Sequence, residues 1–192
     1  MGHSRAEKAA SHDRILNLAA ARIREDGLDA INVAELMRAC GLTHGGFYRH
    51  FDSREDLIAQ ALERAFDDGE AHSAAATADE APRSLRRLVT SYLSKAHRDD
   101  PARGCAIAAL AGDIDRADAD ARALLTDRFK ASAGSIRMAL EGEPSAAAND
   151  RALAILAAMA GALALARAVD EPDLSQRILR STRALILDQT PT

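Results

Sequence analysis

The sequence has few aromatic residues and few cysteines. Among its 192 residues there is no Trp, only two Tyr and four Phe, although 47% of the residues are hydrophobic and 28% are charged. The two cysteines, Cys40 and Cys105, are too few and too far apart for a zinc cluster or a disulfide framework. The first residues also lack the apolar run of a signal peptide. We therefore expect a cytoplasmic protein with a mainly aliphatic core.

The sequence also lacks a basic excess and a long apolar run. Its formal net charge is -4, which argues against non-specific nucleic-acid binding by the whole molecule, so any DNA contact must be local. The most apolar run, residues 152–166, is mostly alanine. At about 1.5 Å per residue it is shorter than the roughly 30 Å of a bilayer core. It predicts a buried helix, and no membrane partner is expected.

Motifs for catalysis and for β-structure are missing as well. There is no HExxH, CxxC, GxSxG or phosphate loop, so we expect no enzyme, no cofactor and no metal. His44 and His50 are six residues apart, which places them on different helical faces and argues against a shared metal. A group of aspartates indicates a solvated turn and helix start or, alternatively, a weak cation site: Asp113, Asp115, Asp118 and Asp120.

Helical signals run from end to end, without hairpin dipeptides or period-two runs, and predict an all-α fold. Caps, apolar stripes and breaks indicate about nine helices, with Thr43 as the cap of the third and Ser53 with Asp56 as the capping pair of the fourth. The predicted helices lie at residues 11–25, 32–40, 43–51, 53–66, 85–99, 104–114, 118–140, 145–169 and 173–187. Small residues and acids replace the apolar stripe near residues 71–82. We expect an N-terminal three-helix head over residues 1–66 and a helical bundle body over residues 67–192.

Residues 41–51 are the one segment in which poor helix-forming residues clearly interrupt a predicted helix. Gly45 and Gly46 each cost a helix interior about 0.5 to 1 kcal/mol relative to alanine. They follow a short helix that opens with the capping pair Asn32 and Glu35 and ends at Gly41, the pattern of a helix-turn-helix. The glycines indicate either a tight helix-helix corner in a protein that never touches DNA, or a surface that a large partner must approach closely.

The head resembles the TetR family of bacterial transcription regulators. The resemblance rests on the capped helix 32–38, the turn 39–42, the block Thr-His-Gly-Gly-Phe-Tyr-Arg-His-Phe at 43–51, and the following Ser-Arg-Glu-Asp-Leu at 53–57. It implies a homodimer with two DNA-binding heads. It also implies that the body binds a small molecule and that the ligand spreads the heads and releases the operator.

If the third helix enters the major groove, its N-terminal residues face base edges and backbone. We expect Thr43 and His44 to read bases, with close approach permitted by the absent side chains of the two glycines. Phosphate contacts are expected from Tyr48 and His50 and, by resemblance, from Arg54. The predicted DNA-binding residues are therefore Asn32, Thr43, His44, Gly45, Gly46, Tyr48, His50 and Arg54. The expected partner is double-stranded DNA with a palindromic operator, because a symmetric dimer reads symmetric half-sites.

The last two helices are expected to form half of an intermolecular four-helix bundle, the alternative being an intramolecular core helix only. A ligand cavity is expected among the fourth to eighth helices, with a mainly aliphatic wall suited to a modest apolar or amphipathic effector. The candidate lining residues are Phe66, Tyr92, Cys105, Phe129 and Met138. Cys105 is either an inert packed thiol or a redox or electrophile sensor. A constitutive DNA-binding or architectural protein without an effector is the rival function.

Overall fold

A computed structural model describes residues 5–75, 84–114, 116–140 and 145–188, and within these ranges the regular structure is entirely helical. The α-helices are α1 Arg5–Asp26, α2 Val33–Ala39, α3 Arg54–Ala75, α4 Leu85–Tyr92, α5 Lys95–Asp99, α6 Ala106–Ile114, α7 Ala119–Ala139, α8 Ala146–Ala168 and α9 Pro172–Asp188. Three 3₁₀ helices lie at Leu28–Ala30, His44–Arg49 and Pro101–Arg103. The all-α fold with about nine helices is confirmed.

Two predicted helices differ from the structure. The third helix of the head is the 3₁₀ helix His44–Arg49 rather than an α-helix. The single helix expected over residues 85–99 is divided into α4 and α5. Leu93 leaves the helical region at φ -91° and ψ 41°, and the Ser94 hydroxyl accepts a hydrogen bond from the His97 N–H at 3.1 Å. Ser94 therefore caps α5 as a new helix, although the apolar stripe over residues 85–93 predicted a single helix that continues to residue 99.

The head is built on α1, which packs along α3. Their apolar faces enclose a core that also receives Phe47 and Phe51, both 2% exposed. The buried side of α6 joins the same core through Ile107, Leu110 and Ile114. Because α3 continues to Ala75, no helix end marks the boundary predicted after residue 66. The division of the chain at that point stays a prediction.

The body is built on α8, which packs against α7 and α9. Its buried face carries Ile155, Leu156, Met159 and Leu163, which form a second core with residues of α4, α7 and α9. Within the described residues, α8 is the one helix that is long and apolar enough, by length and composition, to cross a membrane. It packs against α6, α7 and α9, and 39% of its most apolar stretch is buried within this chain.

A buried arginine ties the head to the body. Arg24, near the end of α1, is 5% exposed. Its Nε donates to the Ala102 carbonyl at 2.6 Å, and its Nη1 donates to the Ala65 carbonyl at 3.0 Å. Asp68 completes the site at 3.5 Å. Burial lowers the pKa of Arg24, and Asp68 opposes this shift. The guanidinium therefore links α1, α3 and the segment before α6.

A second tie joins the loop after α1 to α6. The Leu28 N–H donates to Asp113 Oδ2 at 3.2 Å. Gly27, the preceding residue, has φ 89° and ψ 174°, a conformation populated almost only by glycine. A Cβ atom at this position would lie 2.5 Å from the same carboxylate oxygen. Glycine is therefore required here both for the backbone and for the approach of Asp113.

Candidate DNA-binding surface

The surface begins at the start of α2, where Asn32 caps the helix. Its Oδ1 accepts from the Ala34 N–H at 3.0 Å and from the Glu35 N–H at 3.2 Å. These bonds satisfy two backbone donors that the first helical turn otherwise leaves unpaired. Because the cap uses only the oxygen of this exposed side chain, the amide N–H groups remain as donors toward an approaching anion.

The turn between α2 and the 3₁₀ helix is set by Gly41, which has φ 71°. The Gly41 N–H donates to the Arg38 carbonyl at 3.0 Å, and the Leu42 N–H donates to the Met37 carbonyl at 2.9 Å. This pair of bonds is the Schellman helix ending, which needs a left-handed residue at the position that Gly41 occupies. The turn predicted from the sequence therefore has a defined backbone cause.

The 3₁₀ helix presents the start of the glycine block to solvent. Thr43 occupies its N-cap position with φ -82° and ψ 151°, but the side chain makes no capping hydrogen bond. The expected Thr43 side-chain cap is therefore not seen, and the hydroxyl stays free on an exposed residue. His44 and Gly45 follow and are exposed too. Two glycines in succession disfavour an α-helix, which is consistent with a short 3₁₀ turn here.

Neither glycine of the pair is required by local packing. A Cβ on Gly45 would meet no atom within 4 Å, and a Cβ on Gly46 would meet Met37 and Thr43 only at ordinary contact distances of 3.7 Å. Among the described residues, positive φ occurs at Gly27 and Gly41 and not at this pair. The open space at Gly45 argues against a tight helix-helix corner at this position.

The ring cluster has an inner and an outer side. Phe47 and Phe51 stack inside the head core, with ring centroids 5.5 Å apart. Tyr48 lies on the other side and is 70% exposed. Its ring makes an edge contact with Phe47, at 5.2 Å between centroids. The two phenylalanines thus anchor the 3₁₀ helix, while the Tyr48 hydroxyl is free to donate or accept outside the protein.

His50 is only partly available for the phosphate contact predicted for it. Its Nδ1 is buried without a hydrogen-bond partner, and its ring centroid lies 6.0 Å from that of His12. Desolvation lowers the pKa of His50, and the nearby charges of His12, Lys8 and Arg49 lower it further. At neutral pH the ring is therefore predominantly uncharged. A neutral imidazole can donate a hydrogen bond to a phosphate but adds no ionic attraction.

Arg54 begins α3 beside the cap of that helix. The Ser53 hydroxyl accepts from the Asp56 N–H at 3.1 Å, and Asp56 accepts from the Asp52 N–H at 2.9 Å, so the predicted capping pair is present. The Arg54 Nε donates to the Ile31 carbonyl at 3.3 Å. That bond joins the start of α3 to the segment before α2 and leaves the two Nη groups as donors.

The five residues predicted to line a ligand cavity do not all lie together in the structure. Phe66 is buried in the head core and Tyr92 in the body core, whereas Phe129 and Cys105 are half-buried and pack against both. Met138 is 69% exposed. Tyr92 and Cys105 lie close together: the Tyr92 hydroxyl is buried without a well-formed hydrogen bond, and burial, with Cys105 beside it, raises the pKa of Tyr92 well above its usual value. Whether any of the five lines a ligand cavity stays a prediction.

The structure shows a cleft of about 700 Å³ that none of these five residues lines. It lies between the end of α1, α5, α6 and the junction of α8 with α9. Arg24, Arg98 and Arg167 contribute to its wall. The one sequence signal that could have indicated it is Arg167, the single charge in the last turn of α8 after the apolar stretch that begins at Ala152.

Comparison with known proteins finds a family match within the head. Residues 15–61 match the domain described as bacterial regulatory proteins, tetR family. An HTH-type transcriptional repressor, KstR2 of Rhodococcus jostii, is 31% identical over 86 residues. This similarity spans 44% of the chain and 42% of the length of that repressor.

Solved structures of the same fold cover nearly the whole chain. A TetR-family regulator from Cytophaga hutchinsonii superposes with a TM-score of 0.77 at 18% identity, over 98% of each chain. One from Chloroflexus aurantiacus has a TM-score of 0.75 at 24% identity, over 95% of this chain and 96% of its own. The reduced form of NemR from E. coli has a TM-score of 0.73 at 16% identity, over 93% and 96%. At these identities the similarity establishes the fold.

Proposed function

We propose that this chain, whose residues 15–61 match the tetR-family domain and whose fold is that of solved TetR-family regulators, is a DNA-binding transcriptional repressor. In this proposal a dimer holds a palindromic operator and a small amphipathic effector releases it. The observation that carries the proposal is the open, exposed start of the 3₁₀ helix His44–Arg49, placed directly after a helix-turn-helix turn. No local packing explains the missing side chain at Gly45.

The polar groups of this surface are suited to two kinds of DNA contact, with base edges and with phosphates. Thr43 and His44 stand at the first positions of the 3₁₀ helix, where side chains of a recognition helix reach base edges. Tyr48 and the Nη groups of Arg54 lie farther along and are suited to phosphate oxygens. Because the chain has no basic excess, its affinity has to come from these few contacts, and we expect binding to fall with added salt.

Operator binding is tested by fluorescence anisotropy with DNA fragments from the region flanking its own gene, at low salt. We expect one preferred palindromic site. In Gly45→Leu the new side chain has room in the free protein but blocks close approach of a base pair, so we expect loss of operator binding with unchanged helical content. The matched control is Gly112→Leu, since Gly112 is also a helical glycine without neighbours within 4 Å. It should bind like the wild type.

An Arg54→Gln variant separates phosphate contacts from base contacts. Each ionic phosphate contact adds about 0.9 to the slope of log affinity against log salt concentration. We expect the slope to fall by about one and the preferred sequence to stay the same. Absence of any preferred site for the wild type, or full affinity in Gly45→Leu, would contradict the proposed function.

Dimer formation is proposed through α8 and α9. Leu165 of α8 and Leu185 of α9 are large apolar side chains that are 59% and 57% exposed. Between Leu153 and Leu165 the exposed side of α8 carries small residues that permit close helix approach, among them Ala157 and Gly161. A second copy of the same helices would cover this face and place two heads on one operator.

A further inference from the structure

The cleft of about 700 Å³ has a volume typical of small-molecule sites. Its lining combines two kinds of residue. Alanines of α6 and α8, including Ala108, Ala109 and Ala164, contribute short side chains and leave an apolar surface. Arg98 and Arg167 belong to the same lining. An apolar surface beside fixed positive charge suits an amphipathic anion.

Arg167 is the group that lacks a counterion. It is half-buried, its Nε donates to the Arg98 carbonyl at 3.1 Å, and its Nη2 donates to the His97 carbonyl at 2.7 Å. No carboxylate within the described ranges forms an ion pair with it. Burial lowers the pKa of Arg167, and Tyr92, Cys105 and Asp100 oppose this shift. The two carbonyl bonds fix the plane of the guanidinium and leave Nη1 as a donor.

The other two arginines of the cleft, Arg24 and Arg98, already form ion pairs and hydrogen bonds within the protein. Arg24 donates to two carbonyls and pairs with Asp68. Arg98 pairs with Asp99 through Nε at 2.7 Å, and its Nη1 donates to the Ser175 hydroxyl at 2.8 Å, so its Nη2 remains. The acidic residues that line the cleft, Glu25, Asp99 and Asp170, are exposed at its rim. Water screens them more strongly than it screens the half-buried guanidinium groups.

We propose that this cleft binds an amphipathic anion, with a carboxylate or phosphate on Arg167 and Arg98 and an aliphatic chain along the alanine wall of α6 and α8. The chain length is limited by the cleft to a medium-sized ligand. Binding does not depend on the proposed repressor function. Only the further role of this ligand as the effector rests on it.

The test is isothermal titration calorimetry on the full chain without DNA, using decanoate, decyl phosphate and 1-decanol as probes. We expect one or both anions to bind at least about tenfold more tightly than the alcohol, because a charge-assisted hydrogen bond to a fixed guanidinium distinguishes them. The comparison of decanoate with decyl phosphate identifies the preferred head group. Equal binding of all three probes, or no binding of either anion at millimolar concentration, would overturn the proposal.

Variants locate the site. Arg167→Gln should weaken anion binding about 10- to 100-fold and leave binding of 1-decanol unchanged, whereas Arg177→Gln, an exposed arginine of α9 outside the cleft, should bind like the wild type. Ala164→Phe fills the cleft without altering its charge and should weaken both anions and alcohol. Full anion affinity in either cleft variant, with helical content intact, overturns the site.

The effector role is measured separately, by adding the preferred anion to the operator complex in the anisotropy assay. Release with a midpoint near the calorimetric dissociation constant supports it. Anion binding without release would refute the effector role alone, and failure to find an operator would leave the calorimetric result standing.

Discussion

Replacing Gly27 with alanine tests whether the loop after α1 is held by the body. The substitution has two separable effects. The backbone at φ 89° and ψ 174° is a conformation that costs a side-chain-bearing residue about 1 to 3 kcal/mol. In addition, the new Cβ would lie 2.5 Å from Asp113 Oδ2. The carboxylate has to move and gives up its 3.2 Å hydrogen bond from the Leu28 N–H.

The magnitudes follow from these two terms. A net hydrogen bond contributes about 0.5 to 1.5 kcal/mol, so Gly27→Ala should lower the free energy of unfolding by about 2 to 4 kcal/mol. Asp113→Ala should lower it by about 1 kcal/mol through the same bond. In the Asp113→Ala background the carboxylate is gone, and Gly27→Ala should cost only the backbone term. The double variant is therefore expected to be about 1 kcal/mol more stable than the sum of the single effects predicts.

Urea denaturation followed by circular dichroism on the wild type, both single variants and the double variant gives the four free energies of the cycle. Gly112→Ala is the control, because Gly112 is a helical glycine with open space for a Cβ. It should be neutral or slightly stabilising. Additivity of the two substitutions within about 0.3 kcal/mol, or a cost of Gly27→Ala below about 1 kcal/mol, would refute the contact between the loop and α6.

Three further outcomes are expected. Arg24→Met should destabilise the protein by about 3 to 5 kcal/mol in urea, because it leaves buried carbonyls and Asp68 without their partner, whereas Arg14→Met, at an exposed position of the same helix, should change little. Because burial lowers the folded-state pKa of His50, the unfolded chain binds more protons below about pH 6.5. Stability should thus fall as the pH drops through the range from 6.5 to that lowered pKa, and His50→Gln should show less of this loss. In sedimentation experiments Leu165→Glu should be monomeric at micromolar concentration, with Ala123→Glu on α7 as the control; a dimeric Leu165→Glu would argue against the α8 interface.

Local signals in the sequence sufficed for elements whose cause is local. The cap by Asn32, the left-handed turn at Gly41 and the cap by Ser53 each depend on residues within about five positions, and each is present in the structure. The 3₁₀ geometry of His44–Arg49 and the break at Ser94 were missed, since an apolar stripe records which face is buried but not how tightly the backbone is wound.

Contacts between distant segments could not be predicted in this way. Arg24 meets Ala102 across 78 positions, and Arg167 meets Arg98 across 69. Both arginines lie on α-helices. The spacing of apolar residues along these helices predicts which face is buried. It does not predict which distant backbone carbonyls accept hydrogen bonds from the guanidinium groups. The lining of the cleft was missed for the same reason. It comes from five α-helices and the 3₁₀ helix Pro101–Arg103, and the residues predicted to line a ligand site were mainly large apolar ones, whereas the cleft is lined by alanines and arginines.

The position of α6 connects the two proposals. Its buried side, Ile107 and Leu110, belongs to the head core, its Asp113 holds the loop after α1, and its Ala108 and Ala109 line the cleft. A ligand in the cleft therefore touches the helix that fixes the head. It can change operator affinity only by as much as its own affinity differs between the two head positions. Arg167 and Arg98 belong to α8 and α5, whereas the aliphatic chain of the proposed ligand would contact α6. If α6 moves with the head relative to α8 and α5, the ligand contacts both moving parts. Its affinity can then differ between the two head positions, which is what release of the operator requires.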